Sequence, residues 1–123
     1  MLRVENIDVF YGDLQILWDV SFEVNEGEIV ALVGSNGSGK STTLKTISGL
    51  LSPANGSILF QDQYQNQIPA NKIIEHGVAH VPEGRRLFPE MSVRENLIMG
   101  SLTPQAKAKR NKTMEWVFGL FPR

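Results

Sequence analysis

A chain of 123 residues, 41% hydrophobic and 20% charged, has room for one small domain with a modest core, and its composition is that of an ordinary soluble globular protein. The net charge of −1 gives no electrostatic reason for nucleic acid or an anionic membrane as a partner, and the absence of cysteine excludes disulfides and thiolate metal sites. Met1–Asn6 lacks the basic and apolar regions of a secretory signal, and no apolar run approaches the ~20 residues of a spanning helix, so a cytoplasmic location is expected, with any membrane association through a partner.

In chain order, Leu2, Val4, Ile7 and Val9 predict a short strand interrupted near Asn6, and Tyr11-Gly12-Asp13 a turn. Val20, Phe22 and Val24 alternate with Ser21 and Glu23, the pattern of a strand with one buried face. After the turn Asn25-Glu26-Gly27, the run Ile29-Val30-Ala31-Leu32-Val33 is apolar without alternation, which predicts a parallel strand covered on both faces. Lys40 to about Leu50 reads as a helix with Leu44, Ile47 and Leu51 as its apolar stripe. Ser52–Gly56 is a turn cluster, Ser57–Phe60 a strand, and the glutamine-rich Gln61–Gln67 a surface connection. Pro69 suits the first turn of a short helix that Gly77 ends, and Val78–Val81 predicts another short strand. Ser92 and Glu95 have capping-box spacing for a helix closing at Gly100. Thr103-Pro104 opens a last helix with Met114, Val117, Phe118 and Phe121 on one face, and the basic group Lys107, Lys109, Arg110 and Lys112 reads as its solvated side.

The chemistry concentrates in Gly34-Ser35-Asn36-Gly37-Ser38-Gly39-Lys40-Ser41, between the apolar run and the helix. A triphosphate is a dense anion that needs many donors close together. Glycines at 34, 37 and 39 let the backbone turn sharply and present successive N–H groups, and the helix N-terminus adds further N–H groups and a favourable dipole. At these positions Lys40 reaches the β and γ phosphates, the Ser41 hydroxyl can ligate Mg²⁺, and Thr42 is placed for the α-phosphate. With glycine near ~7% of residues, a chance match to this pattern in a chain of this length has odds of roughly a few in a thousand. Its position between an apolar run and a helix strengthens the reading further.

The surroundings narrow the kind of phosphate loop. Tyr11-Gly12, Val20-Ser21-Phe22, Gly27-Glu28, then Ser41-Thr42-Thr43-Leu44, Ser48-Gly49-Leu50-Leu51-Ser52-Pro53 and Gly56-Ser57-Ile58 follow one another in an order that resembles the ATP-binding subunits of ABC transporters across essentially the whole chain. The resemblance implies an α/β P-loop NTPase fold of ABC ATPase type, here as N-terminal antiparallel strands, the first part of the parallel core and the start of a helical subdomain. It divides the chain into residues 1–100, from the nucleotide-binding domain, and 101–123, the opening of the helical subdomain. It also implies that Tyr11 stacks on adenine with Val20 packed nearby; without it, Tyr11 also reads as an aromatic capping a core at a strand end.

The segment Val81-Pro82-Glu83-Gly84-Arg85-Arg86-Leu87-Phe88-Pro89-Glu90-Met91 stands where this family has its Q-loop. Most members carry glutamine at the Glu83 position, where the side chain senses the γ-phosphate and Mg²⁺. The Pro-Glu-Gly-Arg version resembles an ATPase subunit of branched-chain amino-acid importers, while the related urea and amide importers keep glutamine. A carboxylate remains a suitable Mg²⁺ ligand, so Ser41 and Glu83 form the implied metal pair, with an altered metal dependence expected from the added charge. In this family the stretch after Glu83 touches the membrane-spanning permease, which makes Leu87, Phe88 and Met91 a contact patch; in the alternative, Phe88 and Leu97 simply pack under a loop.

Hydrolysis requires an acid at the end of an apolar strand and a carboxylate to polarise water. Ile58-Leu59-Phe60-Gln61-Asp62 is not that pattern, and the family's Leu-Ser-Gly-Gly-Gln signature and switch histidine are not among these residues; His76 reads as a helix end and His80 as a core strand residue. No catalytic residue is therefore assigned. The chain resembles the N-terminal half of a subunit that binds ATP and Mg²⁺, pairs head to tail with a second ATP-binding subunit, and couples hydrolysis to uptake of branched-chain or other hydrophobic amino acids. A catalytically silent nucleotide-binding or docking fragment and the ATPase of a urea or amide importer are the alternatives. Marginal stability is also expected, because a central strand would lie unpaired.

Overall fold

The structure is a computed structural model that describes residues 1–84 and 86–122. Arg85, in the expected permease contact, and Arg123 lie outside the described residues. The chain forms two compact units, Met1–His80 and the residues from Val81 onward.

The first unit is built on a four-stranded antiparallel sheet of order β2-β1-β3-β4, with β1 Leu2–Tyr11, β2 Leu14–Val24, β3 Asn55–Phe60 and β4 Gln63–Tyr64. The interruption expected near Asn6 is a bulge inside one long strand. A regular strand would put Val4 and Ile7 on opposite faces. Here Val4 pairs with Phe22 and Ile7 with Val20, so β1 carries one extra residue, and Asn6 takes a φ of 49°. The slip returns Ile7 and Val9 to the face of Val4. A second bulge, with Asp19 also at φ 49°, makes the matching correction in β2. The two are tied together: Asn6 N–H donates to Ser21 Oγ at 2.7 Å, and Asn6 Nδ2 donates to Asp19 Oδ1 at 2.6 Å. Gly56 of β3 lies opposite the first bulge, where any Cβ would run into the carbonyl oxygens of Glu5 and Asn6.

Asp8 links three strands from the middle of the sheet. Its carboxylate accepts from the Asp19 N–H at 2.9 Å, Gln15 Nε2 at 3.1 Å and Asn55 Nδ2 at 3.0 Å. The backbone hydrogen bond from Asp19, then the one from Asn55, holds its pKa below the ordinary carboxylate value.

Val4, Ile7, Val9, Leu17 and Ile58 form the core on one face of this sheet, together with Ile47 of α1, Lys40–Ile47. Only part of the expected apolar stripe of α1 is used. Ile47 is buried and Leu51 packs on the core, but Leu44 points to solvent, and the buried face is completed by Thr42, Thr43 and Thr46. Two of the three threonine hydroxyls donate to carbonyls one turn back: Thr43 Oγ1 to Gly39 O at 3.0 Å and Thr46 Oγ1 to Thr42 O at 2.8 Å. α1 ends in a Schellman motif, with Gly49 at φ 72°, its N–H on Thr46 O, and Leu50 N–H on Lys45 O at 2.9 Å.

Two expected strands do not form. Ile29–Val33 lies outside any helix or ladder, with Ile29 97% and Val33 91% exposed. An all-apolar run becomes a strand only when neighbours take up its N–H and C=O groups and cover its faces, and the four-stranded sheet offers it neither. Val78–Val81 is likewise not a strand, and His80, expected in a core strand, is half-buried. The glutamine-rich connection is more structured than expected: it contains β4, and Gln65 is buried. Pro69 and Gly77 bracket α2, Ala70–Ile73, and a following 3₁₀ turn that places His76 at an exposed helix end, as expected.

The second unit contains α3, Val93–Met99, and α4, Pro104–Leu120. The capping box is present in full: Ser92 Oγ accepts from Glu95 N–H, and Glu95 Oε2 accepts from Ser92 N–H at 2.8 Å. Thr103 caps α4 by accepting from Ala106 N–H. Arg110 ties α4 to the connection that follows α3, donating from Nε to Ser101 Oγ at 2.7 Å and from Nη2 to Ser101 O at 2.8 Å. Of the expected apolar face, Met114 is buried and Val117 half-buried, whereas Phe118 and Phe121 are exposed.

Candidate nucleotide-binding site

The loop from Gly34 to Gly39 wraps the start of α1. Gly37 and Gly39 sit at φ 84° and 88°, the left-handed region in which a side chain is strained. Two further constraints act on the glycines. A Cβ on Gly34 would come within 2.5 Å of Ser38 Oγ, and one on Gly39 would overlap Leu17 Cδ2, so the loop enters α1 in close contact with the core strand β2. Gly39 is the N-cap of α1, with no side-chain cap and no acidic residue in the first turn. The helix start therefore has neither a capping side chain nor a neighbouring acid to offset its positive end, an arrangement that fits a phosphate.

Lys40 completes the loop. Its Nζ donates to Gly34 O at 2.8 Å and Ser35 O at 2.7 Å, with Ser38 Oγ at 3.4 Å, so the ammonium is held inside the loop by its own backbone. Ser38 N–H donates to Ser35 O and closes the turn. Ser35, Asn36, Gly37, Ser38 and Ser41 are exposed, whereas Thr42 is buried.

Tyr11 and Val20 belong to the same unit as the loop. Tyr11 ends β1 opposite Leu14 and is 44% exposed, two residues beyond Val9, which pairs with Leu17, the residue beneath Gly39. Strand alternation puts Tyr11 on the face of Val9 and Leu17, the side of the sheet that carries the loop. Val20 pairs with Ile7 and packs against the core, so its position is accounted for by packing. Glu83 lies in the second unit. Among the described residues no cluster of three or more His, Asp or Glu side chains could hold a metal ion by itself.

Two contributors escaped the reading of the sequence. Leu17, an ordinary strand leucine in the pattern, is what makes a side chain at residue 39 intolerable. Asn96 lies inside a helix, where asparagine is a poor helix former; that mismatch was the available signal for the contacts described below.

The comparisons with known proteins converge. Residues 17–121 match the family described as ABC transporter. The High-affinity branched-chain amino acid transport ATP-binding protein BraG of Pseudomonas aeruginosa is 43% identical over 123 residues, which covers 100% of this chain and 52% of that protein. The protein of the same description named LivG, from Escherichia coli K12, is 36% identical over 99 residues, or 80% of this chain and 39% of it. Among solved structures, a nucleotide-free ATP-binding cassette from an ABC transporter superposes with a TM-score of 0.76 at 33% identity, over 85% of this chain and 41% of that one. A dimeric post-hydrolysis cassette bound to ADP and Pi gives 0.71 at 27%, over 89% and 53%. The chain thus spans about half, or less, of the length of these relatives. With the family match over most of its residues and a cassette-like fold around the phosphate loop, the chain belongs to the ABC transporter family, in its ATP-binding cassettes.

Proposed function

We propose that this chain is the nucleotide-cradling part of the ATP-binding subunit of an importer for branched-chain or other hydrophobic amino acids. The observation that carries the reading is the loop at an uncapped helix start with Lys40 held inside it. Residues 1–100 belong to the nucleotide-binding domain, and 101–123 open its helical subdomain.

In this reading Lys40 exchanges Gly34 O and Ser35 O for the β and γ phosphate oxygens of ATP. The N–H groups of residues 35–42 surround the phosphates, and Tyr11 offers its exposed ring to the adenine. The Ser41 hydroxyl and the Glu83 carboxylate are the oxygen ligands this chain would offer to Mg²⁺, which would supply neutralisation of phosphate charge. Cleavage of the terminal anhydride supplies the work of transport, which belongs to the whole subunit paired head to tail with a second one. The stretch 84–91 docks on the membrane-spanning permease and so holds the subunit at the cytoplasmic face. The 123 residues alone bind ATP weakly at most and do not turn it over.

Titration with ATP tests the cradle. Charge-assisted contacts of this kind contribute about 1.5–3 kcal/mol, so Lys40→Met should weaken binding by roughly 10- to 100-fold. Equal affinity of the two proteins, or Lys40-dependent hydrolysis by the chain alone, would contradict the proposal.

A further inference from the structure

We propose that Asn96 is the positioning residue of the apolar docking loop 87–91, an inference that rests on the permease contact proposed above. Leu87, Phe88 and Met91 are large apolar side chains held at the surface, with Leu87 70% and Phe88 50% exposed. A loop with such side chains ordinarily folds them inward; here the backbone is fastened so that they stay out.

The fastening is one carboxamide. Asn96 Oδ1 accepts from Phe88 N–H at 2.9 Å, while Asn96 Nδ2 donates to Phe88 O at 3.1 Å, Met91 O at 3.1 Å and Ser92 O at 3.0 Å. Two N–H hydrogens serve three carbonyls, so one contact is shared. The amide orientation is fixed by its partners: three carbonyl oxygens require a donor, and the Phe88 N–H requires an acceptor. Met91 N–H also donates to Phe88 O at 3.1 Å and closes the turn. Phe88, at the centre of the patch, is thus gripped at both its N–H and its C=O by a side chain anchored in α3.

Asparagine fits this task because its carboxamide is acceptor and donor at once. Aspartate would keep the acceptor for Phe88 N–H but set a negative oxygen against three carbonyls, and alanine would release every contact. The neighbouring capping box acts on α3 itself, since Glu95 bonds Ser92 and touches no residue of 87–91 in these contacts. Pre-ordering the loop lowers the entropy lost when it docks, so Asn96 acts on permease affinity through Phe88 without touching the permease.

The test pairs amide hydrogen exchange with binding to membrane vesicles that carry the membrane-spanning subunits of the Pseudomonas aeruginosa system to which BraG belongs. Asn96→Ala should speed exchange at Phe88 N–H by tenfold or more, leave ATP affinity unchanged, and weaken vesicle binding by at least tenfold. Asn96→Asp should weaken binding while Phe88 N–H stays protected. Glu95→Ala, which loosens only the start of α3, should alter binding less than about threefold. Unchanged Phe88 exchange in Asn96→Ala would overturn the positioning role, and so would full vesicle binding by Asn96→Ala when Phe88→Ser has lost it. Equal loss from Glu95→Ala would reduce Asn96 to general helix stability and overturn the inference as well. Vesicle binding that survives Leu87→Ser, Phe88→Ser and Met91→Ser, or is absent from the unaltered chain, would overturn the docking reading itself, whatever the exchange result.

Discussion

Replacing Gly39 by alanine tests how tightly the phosphate loop is built onto the core. Two costs add at this position. The backbone sits at φ 88°, where an alanine costs roughly 1–2 kcal/mol. The new Cβ also overlaps Cδ2 of Leu17, a residue 4% exposed, and forcing a methyl into a packed site costs typically about 1–3 kcal/mol. The sum, about 2–5 kcal/mol, is a large share of the ~4–12 kcal/mol expected for a unit of this size. Urea unfolding followed by circular dichroism should therefore show Gly39→Ala with a much lower midpoint and an unchanged slope. The overlap has a signature of its own. Leu17→Val alone should destabilise by about 1 kcal/mol, but combined with Gly39→Ala it should return part of the loss, with a coupling of about 0.5–3 kcal/mol. Additive effects of the two substitutions would show that Leu17 does not set the requirement for glycine and would refute the steric argument.

Other consequences are equally direct. Asp8 has a folded pKa below its unfolded one, so its hydrogen bonds stabilise the fold above the unfolded carboxylate value and that stability is lost as pH falls through the folded pKa. Acid unfolding below about pH 5 should thus be steeper in the unaltered chain than in Asp8→Asn, which should be less stable at neutral pH; parallel pH profiles would contradict this. Glu83→Gln should shift the Mg²⁺ dependence of nucleotide affinity, and an unchanged profile across Mg²⁺ concentrations would remove Glu83 from the metal site. Ser92→Ala should cost α3 about 1 kcal/mol through the lost cap, read as reduced helicity on heating; an unaltered melt would deny the capping box a role in stability.

What the sequence made legible was local. The glycine turn into α1, the capping box at Ser92 and Glu95, and the Pro69 and Gly77 helix brackets each rest on a few neighbouring residues, and each forms at the expected positions. Elements that depend on distant partners were less legible. Ile29–Val33 carries every local mark of a buried parallel strand, yet strand formation is a property of the ladder, and no ladder reaches it. The bulges at Asn6 and Asp19 follow the same rule. Alternation broke visibly at Asn6, but whether that break was an end or a slip depended on the register with β2. Leu44 shows the limit for helices: spacing identified apolar positions on α1, while threonines share the buried face, where Thr43 and Thr46 satisfy their hydroxyls on carbonyls one turn back.

Amide chemical-shift mapping with the Mg²⁺ complex of a non-hydrolysable ATP analogue tests the central claim most directly, namely that this loop is a nucleotide site. The amides of Gly34–Thr42 and the ring of Tyr11 should shift together along one saturating curve, and Lys40→Met should move that curve to roughly 10- to 100-fold higher concentration. Saturable binding that leaves residues 34–42 unmoved, with shifts confined to other parts of the chain, would contradict it.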